Sequence, residues 1–180
     1  MTDEKTKQKN RELCERYPFL IPSNRFSGMK VTDPKAQEGG FWPGSPEAIP
    51  DPYDYGYTEL DEMPDGWRKA FGEQMCEEIR NAILESGTAE DLNDYRIVQI
   101  KEKFGQLRWY ADWTNDAIEA VIDKYTALSE QTCIRCGKPA TKVSTGWISP
   151  FCDDCAEEIG RNGYIKFVPL LTDDEKEEKE

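Results

Sequence analysis

The sequence predicts an α+β chain in which helices surround one β-hairpin and a small four-cysteine module closes the C-terminal end. Three observations lead there. Trp67, Phe71, Met75, Ile79 and Ile83 recur every four positions, the spacing of one helix face. Leu107, Trp109, Ala111 and Trp113 occupy every second position, the period of a half-buried strand. Cys133 and Cys136, then Cys152 and Cys155 after 15 intervening residues, form two Cys-x-x-Cys pairs, which in a reducing compartment read as a metal site before a disulfide framework.

The 180 residues, 37% of them hydrophobic, give room for one domain, or one domain with a small metal-stabilised module. Histidine is absent, which excludes Ser-His-Asp and Cys-His catalysis and every His-containing metal site. There is no Gly-rich phosphate cradle ending in Lys-Ser/Thr and no Gly-x-Gly-x-x-Gly, so the common nucleotide-dependent enzymes are excluded as well. The apolar run Phe19-Leu20-Ile21 is closed by Pro18 and Pro22, far short of the ~20 residues of a membrane span. Residues 1–16 lack the apolar stretch of a secretory signal. The expectation is a cytoplasmic protein with no membrane contact.

Residues 1–21 read as an N-terminal helical segment, with a helix over 4–17 stopped by Pro18. Residues 22–58 form a Pro/Gly-rich irregular segment, since 22–52 hold six of the eleven prolines. Tyr53, Tyr55 and Tyr57 at its end suggest an extended piece. Residues 59–130 read as a helix–hairpin–helix body. Its first helix starts at Asp65, after Pro64, and ends at Ser86-Gly87. The hairpin runs from Tyr95 to Trp113 with Phe104-Gly105 as its turn. Thr114-Asn115 then caps a helix carrying Ile118, Val121, Ile122, Tyr125 and Leu128 at helical spacing.

Residues 131–171 read as the four-cysteine module, and 172–180 as an acidic tail without fixed structure. Two residues between cysteines let one knuckle present both sulfurs to one ion, and four thiolates suit tetrahedral Zn²⁺. One structural zinc held by Cys133, Cys136, Cys152 and Cys155 is therefore expected; a redox dithiol, two disulfides and a four-sulfur iron site are the alternatives. Ala140–Val143 and Trp147-Ile148 read as short strands, and Ala156–Ile159 as a helix. Knuckle, hairpin and a Cys pair at a helix N-terminus describe a treble-clef zinc finger. Cys14 and Cys76 fit no metal spacing and read as buried thiols on helices.

The segment Tyr95-Arg96-Ile97-Val98-Gln99-Ile100-Lys101-Glu102-Lys103-Phe104-Gly105-Gln106-Leu107-Arg108-Trp109-Tyr110, with Cys133-x-x-Cys136-Gly137, Gly146-Trp147-Ile148 and Cys152-x-x-Cys155, resembles a family of small, uncharacterised phage and prophage zinc-binding proteins. The resemblance covers Leu13 to Pro22 and about Tyr53 to Cys155, and leaves the Pro/Gly segment outside. It implies a phage origin and action in the bacterial host cytoplasm. Size, acidity and that origin, though no motif, make the chain similar to anti-CRISPR proteins that block an RNA-guided nuclease.

The net charge of −13 is uneven: residues 47–94 carry 14 acidic and 3 basic side chains, while 95–171 carry 10 of each. Three functions of different classes are compatible with this. The first is an acidic, non-enzymatic inhibitor of a host nucleic-acid-binding defence effector, with Asp61, Glu62, Glu73, Glu77 and Glu78 imitating a phosphate backbone on the effector's basic surface. Helical geometry sets Glu73 and Glu77 opposite the apolar stripe and Glu78 at its margin. The alternative is a zinc-finger nucleic-acid-binding accessory protein, with Lys101, Lys103, Arg108, Arg135, Lys138 and Lys142 near Trp109 and Tyr110 as its contact surface. The remote third is a metal-dependent nuclease built on Gln99-x-Lys101, for which no spacing assigns two carboxylate ligands.

Overall fold

The computed structural model of the chain describes residues 3–24, 28–33 and 54–171. Helix α1 (Glu4–Arg16) starts where the Asp3 carboxylate accepts from the Thr6 amide at 3.0 Å, an N-cap that satisfies one of the free amides of the first turn. A 3-10 turn, Pro18–Leu20, then folds Phe19 and Leu20 into the core. Most of the Pro/Gly-rich segment and the acidic tail lie outside the described residues. So does Tyr53, and the extended piece expected there is broken at Tyr55, whose φ is +56°.

Thr58 and Asp61 form a capping box that opens a 3-10 turn, Glu59–Glu62. Helix α2 spans 65–86 as one α turn (Asp65–Trp67), a π turn (Arg68–Gly72) and an α-helix (Glu73–Ser86). All five residues of the predicted stripe are buried. The π turn adds a residue and rotates the rest of the helix by about 100°, which brings Met75, Ile79 and Ile83 back into line with Trp67 and Phe71; Cys76 and Ala82 flank them in the core. Glu77 stays on the side of the helix opposite that face and is half-buried where Arg16 and Tyr17 reach it. Helix α3 (Ala89–Asp94) starts on a Thr88/Asp91 capping box; its six residues are too few to show a period, so no repeat in the sequence announces it.

Strands β1 (Ile97–Lys103) and β2 (Gln106–Ala111) pair antiparallel, with Lys101 opposite Arg108 and Lys103 opposite Gln106. Ile97, Ile100, Leu107 and Trp109 face the core. Gln99, Lys101, Lys103, Gln106, Arg108 and Tyr110 alternate with them and face outward. Helix α4 (Asp116–Glu130) is capped by Asn115, which accepts from the Ile118 amide at 2.9 Å. It packs on α2 and β2, and the buried Ser129 hydroxyl accepts from the Leu107 amide at 2.9 Å. Ile118 and Tyr125 are buried as predicted, whereas Leu128 is exposed. α1, the first 3-10 turn, α2, α3, the hairpin and α4 share one core.

The C-terminal module contains β3 (Lys142–Ser144), β4 (Pro150–Phe151), α5 (Asp153–Gly160) and β5 (Phe167–Pro169), with strand order β4-β3-β5. The strand expected at Trp147-Ile148 is displaced to Pro150. The Ser144 hydroxyl accepts from the Ser149 amide at 3.0 Å and donates to the Trp147 carbonyl at 2.6 Å, which closes 144–149 as a loop. β5 holds three residues, one a proline, and gives no alternating signal. The chain is thus α+β, with helices and two small antiparallel sheets. Among the described residues no helix is long and apolar enough to cross a membrane.

Candidate metal centre

The first cysteine pair sits on a knuckle. The Cys133 amide donates to the Lys138 carbonyl at 2.8 Å, and the Gly137 amide to the Cys133 carbonyl at 3.0 Å. Gly137 turns the chain with φ +82°, and a Cβ there would lie 2.6 Å from the Gly66 carbonyl oxygen, so both conformation and space require glycine. Cys152 is the N-cap of α5, and Cys155 lies in its first turn. The β3–β4 pairing brings this helix start back to the knuckle.

The four Sγ atoms of Cys133, Cys136, Cys152 and Cys155 all lie within 4.8 Å of one another, and Cys136 and Cys152 approach to 3.6 Å. A tetrahedron with arms of about 2.3 Å has edges of about 3.8 Å, so the four sulfurs fit around one ion. Cys133, Cys152 and Cys155 are buried and Cys136 is half-buried. Burial pushes the Cys133 thiol up, but amides of Cys152, Cys136 and Arg135 directed at its sulfur outweigh it and bring the group down to about 7. Cys152 is raised by burial, and Cys155 by burial and by its hydrogen bonds to Cys152, Cys136 and Cys133. A bound cation reverses these upward shifts by stabilising thiolates.

The knuckle is docked on the body. The Gly66 amide donates to the Ile134 carbonyl at 2.9 Å, and the Trp67 indole to the Thr132 carbonyl at 2.9 Å. A Cβ on Gly66 would lie 2.2 Å from the Cys133 carbonyl oxygen. The start of α2 therefore supports the knuckle of the candidate metal centre.

The five predicted carboxylates are all engaged within the chain. Asp61 pairs with Arg68 and accepts from the Thr58 amide, and Glu62 accepts from the Tyr57 hydroxyl at 3.1 Å. Arg16 pairs with Glu73 at 3.5 Å and with Glu77 at 3.0 Å. Glu77 also accepts from the Tyr17 hydroxyl at 2.9 Å. Glu78 pairs with Lys124 at 2.6 Å and accepts from the Tyr125 hydroxyl at 2.8 Å. Burial and these carboxylates push the Tyr17 and Tyr125 phenols upward, so each stays a donor.

The six predicted cations divide into two sets. Arg135 pairs with Glu158 at 3.0 Å, Lys138 with Asp154 at 2.8 Å and Lys142 with Asp153 at 3.1 Å, so these three tie the knuckle and β3 to α5. Lys101, Lys103 and Arg108 share the outer face of the hairpin and form no ion pair among the described residues. Lys101 lies over the Tyr110 ring at 5.4 Å and Lys103 over the Phe104 ring at 5.5 Å, while Arg108 donates to Gln106 at 2.6 Å. Gln99 and Lys101 belong to this same exposed face. Trp109, by contrast, is buried and donates to the Tyr95 hydroxyl at 3.1 Å.

Phe104 and Trp147 are exposed aromatic residues that sequence reasoning left out of the candidate contact surface; their places beside Gly105 and Gly146 were the available signal. Cys14 and Cys76 are buried on α1 and α2, as expected. Burial pushes the Cys14 thiol up to about 12 and raises Cys76 as well, which keeps both unreactive. Comparison of the chain with protein-family models, with curated proteins and with solved structures finds no match.

Proposed function

We propose that the chain is a zinc-organised binding module whose hairpin presents its outer face to nucleic acid, and that it acts by binding and not by catalysis. The observation that carries this reading is the division of the cations. Arg135, Lys138 and Lys142 are neutralised by α5, whereas Lys101, Lys103 and Arg108 stand together on one strand pair with Tyr110. Unpaired cations beside aromatic rings suit phosphates and bases. Zinc is favoured for the metal because four soft thiolates in a tetrahedral setting saturate it and leave a structural site. Metal analysis of anaerobically purified protein checks this; the expected content is one zinc per chain, lost in Cys152→Ser.

The acidic inhibitor of a host effector draws on the charge of residues 47–94. Its five carboxylates are held by Arg16, Arg68, Lys124 and three tyrosines, so they offer less free charge to a basic groove than their number implies. The deciding experiment is the double reversal Lys101→Glu/Arg108→Glu, titrated against labelled nucleic acid at several salt concentrations. Binding at least about 10-fold weaker, with a shallower salt dependence, is expected. Unchanged binding rejects the hairpin face.

A further inference from the structure

We propose that the outer face of the hairpin is a β-ribbon that lies in the major groove of double-stranded DNA, with Arg108 reading guanine there. This deepens the reading of the hairpin face and rests on it. The register sets three cross-strand pairs side by side on that face: Gln99 opposite Tyr110, Lys101 opposite Arg108, and Lys103 opposite Gln106. Two amides, three cations and a phenol thus line one side of a two-stranded sheet whose other side belongs to the core. No carboxylate is among them. Amides and guanidinium groups are the side chains that match base edges, and the major groove of B-DNA admits a two-stranded ribbon.

Arg108 occupies the middle pair, and its orientation is fixed in advance. Its Nη2 donates to Gln106 Oε1 at 2.6 Å, and Gln106 Nε2 donates to Glu130 Oε1 at 2.6 Å. A residue of α4 therefore turns the Gln106 amide so that its carbonyl oxygen meets the guanidinium. One N–H of the fork is used, and the others stay open among the described residues. A phosphate accepts a cation in many orientations, whereas bidentate pairing with guanine O6 and N7 needs a planar fork at a set angle. A fork held before the ligand arrives loses less entropy on binding. Glu130 holds Gln106 and not Arg108, and its carboxylate disfavours a phosphate at this point, which leaves a base edge as the partner.

The rings nearest the face favour a duplex over a single strand. Single strands bind by stacking bases on open ring faces. Here Lys101 Nζ lies over the Tyr110 ring at 5.4 Å and Lys103 Nζ over the Phe104 ring at 5.5 Å, and Trp109 is buried. RNA duplexes are disfavoured as well, because the A-form major groove is too deep and narrow for side chains to read. With a net charge of −13, the chain as a whole gains little from the phosphate backbone, so affinity rests on a few placed contacts.

The test titrates the full-length, metal-loaded protein against DNA duplexes of equal length with a central G·C or A·T tract. A G·C duplex whose guanines lack N7 (deazaguanine), an RNA duplex and a single DNA strand complete the set. The G·C duplex should bind roughly 5- to 100-fold tighter than the A·T duplex, and tighter than the RNA or the single strand. Deazaguanine should remove most of that preference with the protein unaltered. Arg108→Lys keeps the charge but not the fork, so G·C affinity should fall to the A·T level. Gln106→Leu should lower the G·C to A·T ratio at least about 3-fold by freeing the guanidinium; a merely structural role for Gln106 would weaken both duplexes alike. Equal affinity for the G·C, A·T and deazaguanine duplexes, an unchanged ratio in either variant, or tighter binding of the RNA or the single strand overturns guanine reading in the groove. The hairpin face then survives if Lys101→Glu/Arg108→Glu still weakens binding. Binding unaffected by that charge reversal, or absent for every probe, removes both.

Discussion

The indole N–H of Trp67 donates to the carbonyl oxygen of Thr132 at 2.9 Å, so a fully buried ring of α2 supports the residue that precedes the first cysteine of the candidate metal centre. The cysteine spacing alone suggests that losing the metal unfolds the finger. With Trp67 and Gly66 both bonded to 132–134, the loss should reach the body as well. Chelation is expected to lower the thermal midpoint of the whole chain and to accelerate amide exchange at 65–72 together with 131–160. Exchange confined to the finger contradicts this coupling.

Trp67→Phe keeps an aromatic ring but leaves the buried Thr132 carbonyl without its donor. An unsatisfied acceptor of this kind costs about 1–2 kcal/mol. Chemical denaturation of the metal-loaded protein should read that loss, and competition with a chelator should read weaker metal retention than in the wild type.

Gly66→Ala is expected to be worse than an exposed helical position suggests. Alanine is the better helix former, but its Cβ would meet the Cys133 carbonyl oxygen at 2.2 Å, so helix and knuckle must separate. A loss of about 2–3 kcal/mol is expected, measured by denaturant midpoint. Stabilisation in its place would show that the two elements are not in firm contact.

Glu78 links α2 to α4 through Lys124 and Tyr125. Burial raises its carboxyl, but the hydrogen bonds from Lys124 and Tyr125 and the Lys124 charge outweigh that and hold it below its ordinary 4.5. A group lowered in the folded state adds stability above its unfolded value, and that stability is lost as pH falls through the folded value. Glu78→Gln should therefore cost about 1 kcal/mol at neutral pH. The difference from wild type should shrink below pH 4.5 and vanish once the native carboxyl is protonated. An equal difference at all pH values rejects the assignment.

Glu73 and Glu77 share Arg16 but not the same surroundings. Glu73 is exposed and makes only the longer pair, so Glu73→Lys should change stability by less than about 0.5 kcal/mol. Glu77→Lys also loses the Tyr17 hydroxyl and places a cation beside Arg16 and Arg80, and about 1–2 kcal/mol is expected. Thermal unfolding of the two single variants distinguishes them.

Much of this was legible in the chain itself. The Trp67–Ile83 repeat, the alternation in 107–113, the Asn115 cap and the two Cys-x-x-Cys pairs are local signals, and each is read from residues that are neighbours in one helix turn, one strand or one knuckle. Elements too short for a period escaped: α3 has six residues and β5 three. The strand expected at Trp147-Ile148 rested on two apolar residues that in the fold face outward.

The residues alone determined the α+β class, the order of the long elements and the four sulfurs of the candidate metal site, because backbone periodicity and ligand spacing act over a few positions. Tertiary structure decided which charges are free. Arg16 reaches Glu77 from another helix, and Lys142 reaches Asp153 across the finger; ion pairs between residues distant in sequence leave no spacing to read. It likewise decided that the finger loop meets the hairpin turn, since a single carboxylate, Glu102, joins the Gly105 amide to the Trp147 indole. Long-range pairing and exposure belong to packing, and packing is set only when all the elements are in place.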